Sequence, residues 1–221
     1  SITMICAAVL MIALTISNFF TAPKFEEPAS RSDEKPAGFF EVFATFFRKH
    51  QIGVALLFIL TYRLGESQLV KMASPFLLDG LEMGGLAYST EAVGTIYGTV
   101  GVIMLSLGGI LGGILISRDG LKKWMLPMLL ALNLPNALYA LLAVTQTTSI
   151  YAVVGTVIIE QFGYGFGFAA FMMYLIYVAE GASKTSHYAI ATGFMALGMM
   201  LPGMLSGYIQ EWLGYDGFFI W

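Results

Sequence analysis

Long apolar stretches separated by short polar connections make up most of this 221-residue chain. Each stretch approaches the roughly 20 residues that a helix needs to cross a lipid bilayer. Six can be marked, at 2–20, 52–78, 92–116, 124–145, 150–179 and 187–209, and a seventh begins at Phe218 and reaches Trp221. The pattern predicts an all-α membrane protein, a multi-helix transmembrane bundle. Because apolar stretches lie at both ends of the chain, we expect a fragment of a longer protein.

One long hydrophilic stretch, 22–51, separates the first apolar stretch from the others. Its centre, 26–36, is charged and proline-bearing, which is the composition of a linker. Phenylalanines then share one helical face ahead of two basic residues: Phe39, Phe43, Phe46, Phe47, Arg48 and Lys49. This pattern is typical of a short helix in the membrane interface. The same residues also suit the beginning of the next spanning helix.

Lysine and arginine alternate between successive connections. They occur in 22–51, 117–123 and 180–187, whereas 79–91, 146–149 and 210–217 contain neither. Positively charged connections stay on the cytoplasmic side of a membrane. The first set is therefore predicted to be cytoplasmic and the second to face outward.

Composition excludes several classes of protein. Apolar residues make up 57% of the chain and charged residues 11%, against roughly 25% charged in soluble domains. There is no basic stripe that would bind nucleic acid. Cys6, His50 and His187 are too few for a metal cluster, so no metal or other cofactor is predicted, and both histidines are expected in loops near the membrane surface. The protease motif His-Glu-x-x-His is missing and Gly203–Gly207 has the wrong spacing for a serine nucleophile, so we expect no enzyme.

A short polar turn after the third apolar stretch narrows the class. It comprises Gly113, Ser117, Arg118, Asp119, Gly120, Leu121, Lys122 and Lys123. It resembles the cytoplasmic signature of the major facilitator superfamily, a glycine followed by D-[RK]-x-G-[RK]-[RK]. Arg118, Gly120, Lys122 and Lys123 match, while Ser117 replaces the aspartate. In that family the turn changes conformation during transport; the alternative is a basic turn that only sets the topology.

Within that superfamily the chain is similar to the AmpG-type muropeptide permeases. The similar segments are 62–66, 74–78, the glycine-rich third stretch, 160–171, 186–192 and the positions Pro202, Gly203 and Gly207. The resemblance implies half of a 12-helix fold. Residues 1–21 would be helix 6, residues 22–51 the central cytoplasmic loop, and residues 52–221 the bundle from helix 7 to the start of helix 12.

The resemblance also implies a function. It implies proton-driven import of anhydro-muropeptides across the bacterial inner membrane, with the solute, protons, the bilayer and the missing N-terminal half as partners. A transporter of another small anionic or sugar solute is one alternative. A membrane scaffold or signalling fragment that transports nothing is another.

Four charged residues fall within predicted spanning helices: Arg63, Glu66, Lys71 and Glu160. Such residues cost about 2.5–3.5 kcal/mol each and usually serve a function. Arg63 lies about 18 Å from one end of its helix and Glu160 about 15 Å from the other, which places both near the midplane. We expect Arg63 and Lys71 to attract an anionic solute and Glu66 or Glu160 to bind the coupling proton. Alternatively, Arg63 forms a static ion pair with Glu66 or Glu160, and Lys71 extends outward to the membrane surface.

Asn133 and Asn136 flank Pro135, which is expected to kink its helix. Their amides would line a cavity or form hydrogen bonds between helices. The glycine runs 108–113 and 163–167 predict closely packed helices.

Overall fold

The computed structural model describes residues 2–21 and 38–221. They belong to two units, 1–37 and 38–221, each described by itself. The first unit contains helix α1 (Ile2–Thr21). The predicted linker at 22–37 lies outside the described residues. The second unit contains α2 (Phe39–Phe47), α3 (Ile52–Thr61), α4 (Leu64–Leu78), α5 (Thr90–Thr95), α6 (Val102–Asp119), α7 (Leu121–Asn133), α8 (Asn136–Thr145), α9 (Ile150–Ala179) and α10 (Lys184–Ile220).

Six helical stretches in the described ranges are long and apolar enough to cross a membrane. They are Met4–Thr21, Ile52–Leu78, Thr90–Asp119, Leu121–Thr145, Ile150–Ala179 and Lys184–Ile220. No strand occurs in the parts of the chain that the structure describes. The prediction of an all-α bundle of membrane-spanning helices is confirmed.

Three of these stretches are interrupted near their middle. Arg63 has non-helical backbone angles (φ −111°, ψ 20°) where α3 gives way to α4. Residues Ile96–Gly101 form a π-helical turn between α5 and α6. Pro135 separates α7 from α8, since it has no N–H group to continue the helix. All three interruptions lie in the part of the bundle that surrounds α9.

Helix α10 consists of two helical segments, divided at Gly214. The predicted outer connection at 210–217 is helical as far as Leu213, and only Gly214 departs from helical angles, with φ +72° and ψ 176°. The positive φ suits glycine. The predicted seventh stretch at Phe218 belongs to the helical segment beyond this break, so the boundary falls within 210–217 as predicted; the prediction that the whole of 210–217 is a loop is wrong.

The glycines of α9 bring it into backbone contact with two neighbours. A methyl group on Gly167 would lie 2.6 Å from the carbonyl oxygen of Met128 in α7. One on Gly165 would lie 2.9 Å from the carbonyl carbon of Leu105 in α6. On α6, Gly112 leaves room for Ala169 in the same way. Close packing at the glycine runs is confirmed, except at Gly113, which has no atom within 4 Å of the position of a methyl group.

Contacts between connections show which of them share an end of the bundle. The hydroxyl group of Tyr88 donates to Thr148 (2.7 Å), and that of Tyr215 donates to Asp79 (2.6 Å). At the other end, the ammonium group of Lys49 donates to the carbonyl oxygen of Glu180 (2.7 Å). These contacts group 79–91 with 146–149 and 210–217, and Lys49 with Glu180, as the predicted alternation requires; the assignment of the basic end to the cytoplasm stays a prediction.

Helix α2 is a separate element, followed by a turn in which Gln51 has a φ of +55°. Of the two interpretations of residues 38–49, the one in which they begin the next spanning helix is therefore wrong. His187 is buried in the first turn of α10, 3.2 Å from the hydroxyl oxygen of Thr45 in α2. The expectation that both histidines lie in loops is wrong for His187, because α2 covers it.

Candidate functional site

A buried ion pair lies where α3 is interrupted. The guanidinium group of Arg63 donates from Nη2 (3.0 Å) and Nε (3.3 Å) to one carboxylate oxygen of Glu66. The side chains are 5% and 1% exposed. The second oxygen of Glu66, Oε1, has no hydrogen-bond partner among the described residues. Of the two partners expected for Arg63, the structure therefore selects Glu66.

Helix α9 completes the surroundings of Arg63. Its guanidinium group also donates to the hydroxyl group of Tyr164 (2.8 Å) and lies 5.0 Å from the ring centres of both Tyr164 and Phe168. Aromatic faces attract a cation at this distance. Arg63 thus joins α4 to α9 through a hydrogen bond and two cation–π contacts.

Glu160 lies one helical turn before Tyr164 on α9. Its side chain is buried, with the residue 3% exposed. The amide group of Gln161 donates to both of its carboxylate oxygens, at 3.2 and 3.0 Å. Among the described residues, no lysine or arginine is within ion-pair distance of Glu160. The charge of Glu66 also acts on Glu160, so the two carboxyl groups belong to one cluster whose single arginine pairs with Glu66 alone.

The π-helical turn borders Glu160 and Gln161. Gly101, its last residue, leaves room for the side chain of Gln161, whose Cγ would lie 3.3 Å from a methyl group there. Tyr97, within the same turn, shares a hydrogen bond with the hydroxyl group of Tyr139 in α8. Turns of this kind are frequent at functional sites.

The predicted asparagines face α4 at the position of Gly65. A methyl group on Gly65 would lie 3.3 Å from the amide nitrogen of Asn136 and 3.6 Å from the amide oxygen of Asn133. Asn133 also donates to the carbonyl oxygen of Leu129 (2.9 Å). The buried amide oxygens of Asn136 and Gln68 have no partner among the described residues. Both residues line a cleft of about 440 Å³.

Lys71 lies apart from this cluster. It is exposed on α4, two turns beyond Arg63, with its stem against Gly203 of α10. The structure therefore groups Arg63, Glu66 and Glu160 together and leaves Lys71 outside the group.

The basic turn between α6 and α7 is organised around Asp119. Arg118 (3.1 Å) and Lys123 (3.2 Å) form ion pairs with its carboxylate, and the indole N–H of Trp124 donates to it (3.0 Å). Gly120 has a φ of +84°, which a residue with a side chain rarely adopts. Lys122 is exposed. Asp119 is thus the acidic group of the turn. Ser117, at the position where the family signature has its aspartate, does not supply one.

Sequence reasoning missed Gln161, Tyr164 and Phe168 as site residues. Tyr164 and Phe168 follow Glu160 at successive intervals of four, so they share one face of α9. That spacing was visible in the sequence. Gln161 carried no such signal, because consecutive residues of a helix point in different directions.

No family model matches the chain. It is 26% identical to the anhydromuropeptide permease of Escherichia coli (strain K12) over 175 residues, which are 79% of this chain and 34% of the permease. It is 26% identical to the "Putative transporter AmpG 2" of Rickettsia typhi over 213 residues, 96% of this chain and 50% of that protein. It is also 26% identical to the "Putative transporter AmpG 4" of Rickettsia conorii over 178 residues, 80% of this chain and 41% of that protein.

The chain spans between 34% and 50% of the length of these curated relatives. Each is named a permease or a transporter rather than an enzyme, in agreement with the sequence analysis. Together with the six membrane-spanning helices, these similarities lead to one conclusion: the chain is a multi-pass membrane protein that resembles the AmpG-type permeases over most of its length.

Proposed function

We propose that this chain is the C-terminal half of a secondary active transporter in the bacterial inner membrane. Residues 1–21 would be its helix 6, 22–51 its central cytoplasmic loop, and 52–221 its helices from 7 to the start of 12. The missing N-terminal half is the partner with which it alternates access. The solute would be an anhydro-muropeptide or a related product of peptidoglycan, in line with the name of the Escherichia coli relative.

The observation that supports coupling to protons is the isolation of Glu160. A buried carboxylate without a cationic partner is costly, and the neutral amide of Gln161 compensates only part of its charge. Binding a proton removes that charge. Glu66, by contrast, already has Arg63 as its partner. We therefore assign the coupling proton to Glu160 rather than to Glu66.

Arg63 is the proposed contact for an anionic group of the solute. Its guanidinium group is held by Glu66 and Tyr164, and a carboxylate of the solute would compete with Glu66 for it. Glu66 would then lose its cationic partner while it remains buried near Glu160. One of the two carboxyl groups would bind a proton to remove a buried negative charge, and solute binding would thereby be linked to proton binding. Asn133 and Asn136 would line the path of the solute, and Lys71 would add positive charge farther along α4.

The turn around Asp119 is the proposed conformational element of the cytoplasmic side. Its ion pairs with Arg118 and Lys123 are exposed and would lie at the membrane surface. They would form in one state of the transporter and separate in the other, while Gly113 and Gly120 leave the turn room to move.

The experiment uses the longer transporter that contains this chain, reconstituted in vesicles. Uptake of a labelled anhydro-muropeptide is followed with and without an inward proton gradient. We expect uptake that needs the gradient and that is lost in Glu160→Gln. Glu211→Gln is the matched control, because Glu211 is exposed on α10 and should leave uptake unchanged. Gradient-driven uptake of other anions or sugars, but not of the muropeptide, would contradict the proposed substrate and would still support a proton-coupled carrier.

A scaffold or signalling role is the competing hypothesis. Counterflow separates it from transport, since only a carrier exchanges a labelled solute for an unlabelled one. Absence of exchange for every solute tested would overturn the transport proposal.

A further inference from the structure

Helix α2 has three sides with different surroundings. Phe46 is fully buried and Val42 half-buried against the bundle. Glu41 is exposed and accepts a hydrogen bond from the N–H of Gly38 (3.3 Å) at the helix start. The third side carries Phe39, Phe40, Phe43 and Phe47, all exposed, with the first two at 71% and 84%.

The four exposed phenylalanines form one continuous apolar surface, called here the phenylalanine face. At 3.6 residues per turn they fall within an arc of about 100°, and Glu41 lies on the opposite side. The ring of Phe39 contacts those of Phe40 (5.5 Å between centres) and Phe43 (5.0 Å). Phe47 contacts Phe194 of α10 instead (6.1 Å between centres), so the face adjoins the bundle at Phe47 and is directed away from the polar side.

Contacts with the bundle fix the direction of this face. The ammonium group of Lys49 donates to the carbonyl oxygens of Val178 (2.6 Å) and Glu180 (2.7 Å), at the C-terminal end of α9. Burial lowers the pKa of Lys49, and the carboxylate of Glu180 opposes that shift. Thr45 and Phe46 contact His187 in the first turn of α10. Helix α2 is thus held against the ends of two spanning helices, at the edge of the bundle.

The length and charge of α2 identify what covers the phenylalanine face. Nine residues extend about 14 Å, so α2 cannot cross a bilayer. Exposed cations, Arg48 directly after it and Lys184 at the start of α10, lie at the same end of the bundle. A short helix with an apolar face, a polar face and adjacent cations suits a membrane surface with anionic headgroups.

We propose that α2 is an interfacial anchor. Its phenylalanine face enters the boundary between headgroups and acyl chains of the adjacent leaflet, and Arg48 contacts anionic headgroups there. Through Lys49 and His187 this anchor fixes the ends of α9 and α10 relative to the bilayer surface. The proposal concerns a lipid contact and does not depend on which solute is carried.

Site-directed spin labelling tests the depth of α2. The one cysteine of the chain is removed by Cys6→Ser, and single labels are placed by Phe40→Cys and Phe43→Cys, with Glu41→Cys as the matched control on the opposite side. The protein is reconstituted in vesicles of phosphatidylethanolamine and phosphatidylglycerol. Collisions of the label with oxygen, which dissolves in lipid, are compared with collisions with a water-soluble nickel chelate. All three positions are exposed, so these changes should leave the packing of the helix intact.

We expect the oxygen-to-nickel collision ratio to be several-fold higher at positions 40 and 43 than at 41. Equal ratios at all three positions would overturn the anchor, whether α2 is then in water or covered by another protein. Vesicles of phosphatidylcholine alone test the headgroup contact: labels at 40 and 43 should become shallower, and Arg48→Gln should remove the difference between the two lipids. Identical depths in both vesicles would overturn the role assigned to Arg48.

Discussion

Two arginine–carboxylate pairs of this protein have nearly the same separation between their charges and very different surroundings. Arg63 and Glu66 are 3.0 Å apart with side chains 5% and 1% exposed, and Arg118 and Asp119 are 3.1 Å apart with side chains 69% and 16% exposed. Water and salt screen the second pair but not the first. The distance between two charges therefore says little about their importance, and burial decides how strongly the protein depends on each pair.

The largest effect is expected when the buried pair is broken. Arg63→Met leaves the carboxylate of Glu66 buried without a partner, which should cost about 3–5 kcal/mol of unfolding free energy. Unfolding in detergent, followed by tryptophan fluorescence, measures this loss. The double variant Arg63→Met with Glu66→Leu removes both charges and should recover most of it. If the double variant is as unstable as Arg63→Met alone, the loss does not come from the unpaired charge of Glu66, and the prediction is wrong.

The next prediction concerns Glu160, the other buried carboxyl group, which has no arginine partner. In the longer transporter, Glu160→Gln should abolish accumulation of solute against its gradient while exchange by counterflow continues, because the neutral amide imitates the protonated state permanently. Transport assays in the same vesicles measure both activities. If the variant loses both exchange and accumulation, Glu160 has a structural role instead.

A smaller effect is expected from removing one hydrogen bond at each pair. Tyr164→Phe deletes the hydroxyl group that accepts a hydrogen bond from Arg63, which should cost about 1.5–3 kcal/mol since the donor is charged. Trp124→Phe deletes the N–H donor to Asp119 at the exposed pair and should cost less. Thermal unfolding of both variants in one detergent makes the comparison. Equal losses of stability in the two variants would contradict the claim that burial makes the pair of Arg63 and Glu66 the more important one.

The smallest effect is expected at the exposed pair itself. Arg118→Gln should leave the unfolding temperature unchanged within error, because Lys123 also pairs with Asp119 and exposed pairs contribute little. Raising the salt concentration should likewise leave the stability of the wild-type protein nearly unchanged. A marked loss of stability in Arg118→Gln would show that the turn is stronger than its exposure indicates.

The spanning helices could be predicted because bilayer thickness imposes a length and composition that the sequence shows directly. The ion pair of Arg63 with Glu66 was also accessible, since residues three apart share a helical face. The contact of Arg63 with Tyr164 was not, because 101 positions separate them and their contact depends on how α4 packs against α9. The burial of His187 was hidden for the same reason, since Thr45 lies 142 positions away.

The limits of α2 and α10 were harder to place. Only four polar residues, 48–51, separate the apolar sequence of α2 from that of α3, and a helix can continue through so short a polar segment; the backbone turn at Gln51 is what separates the two helices. In α10 the polar residues near Glu211 suggested a loop, yet the chain remains helical until Gly214. Polarity marks the membrane boundary, and a helix can extend past that boundary into water.

The π-helical turn at Ile96–Gly101 gives its span a place where chain length can change. A turn of this type contains one residue more than an α-helical turn, so deletion of a residue there would restore a regular helix. Residues after the deletion, including Gly108 and Gly112, would keep their contacts with α9. Residues before it would rotate by about 100°, and Tyr97 would leave Tyr139. Relatives that differ from this chain by one residue at this turn should therefore conserve the packing of α6 and vary in the side chains presented to Glu160.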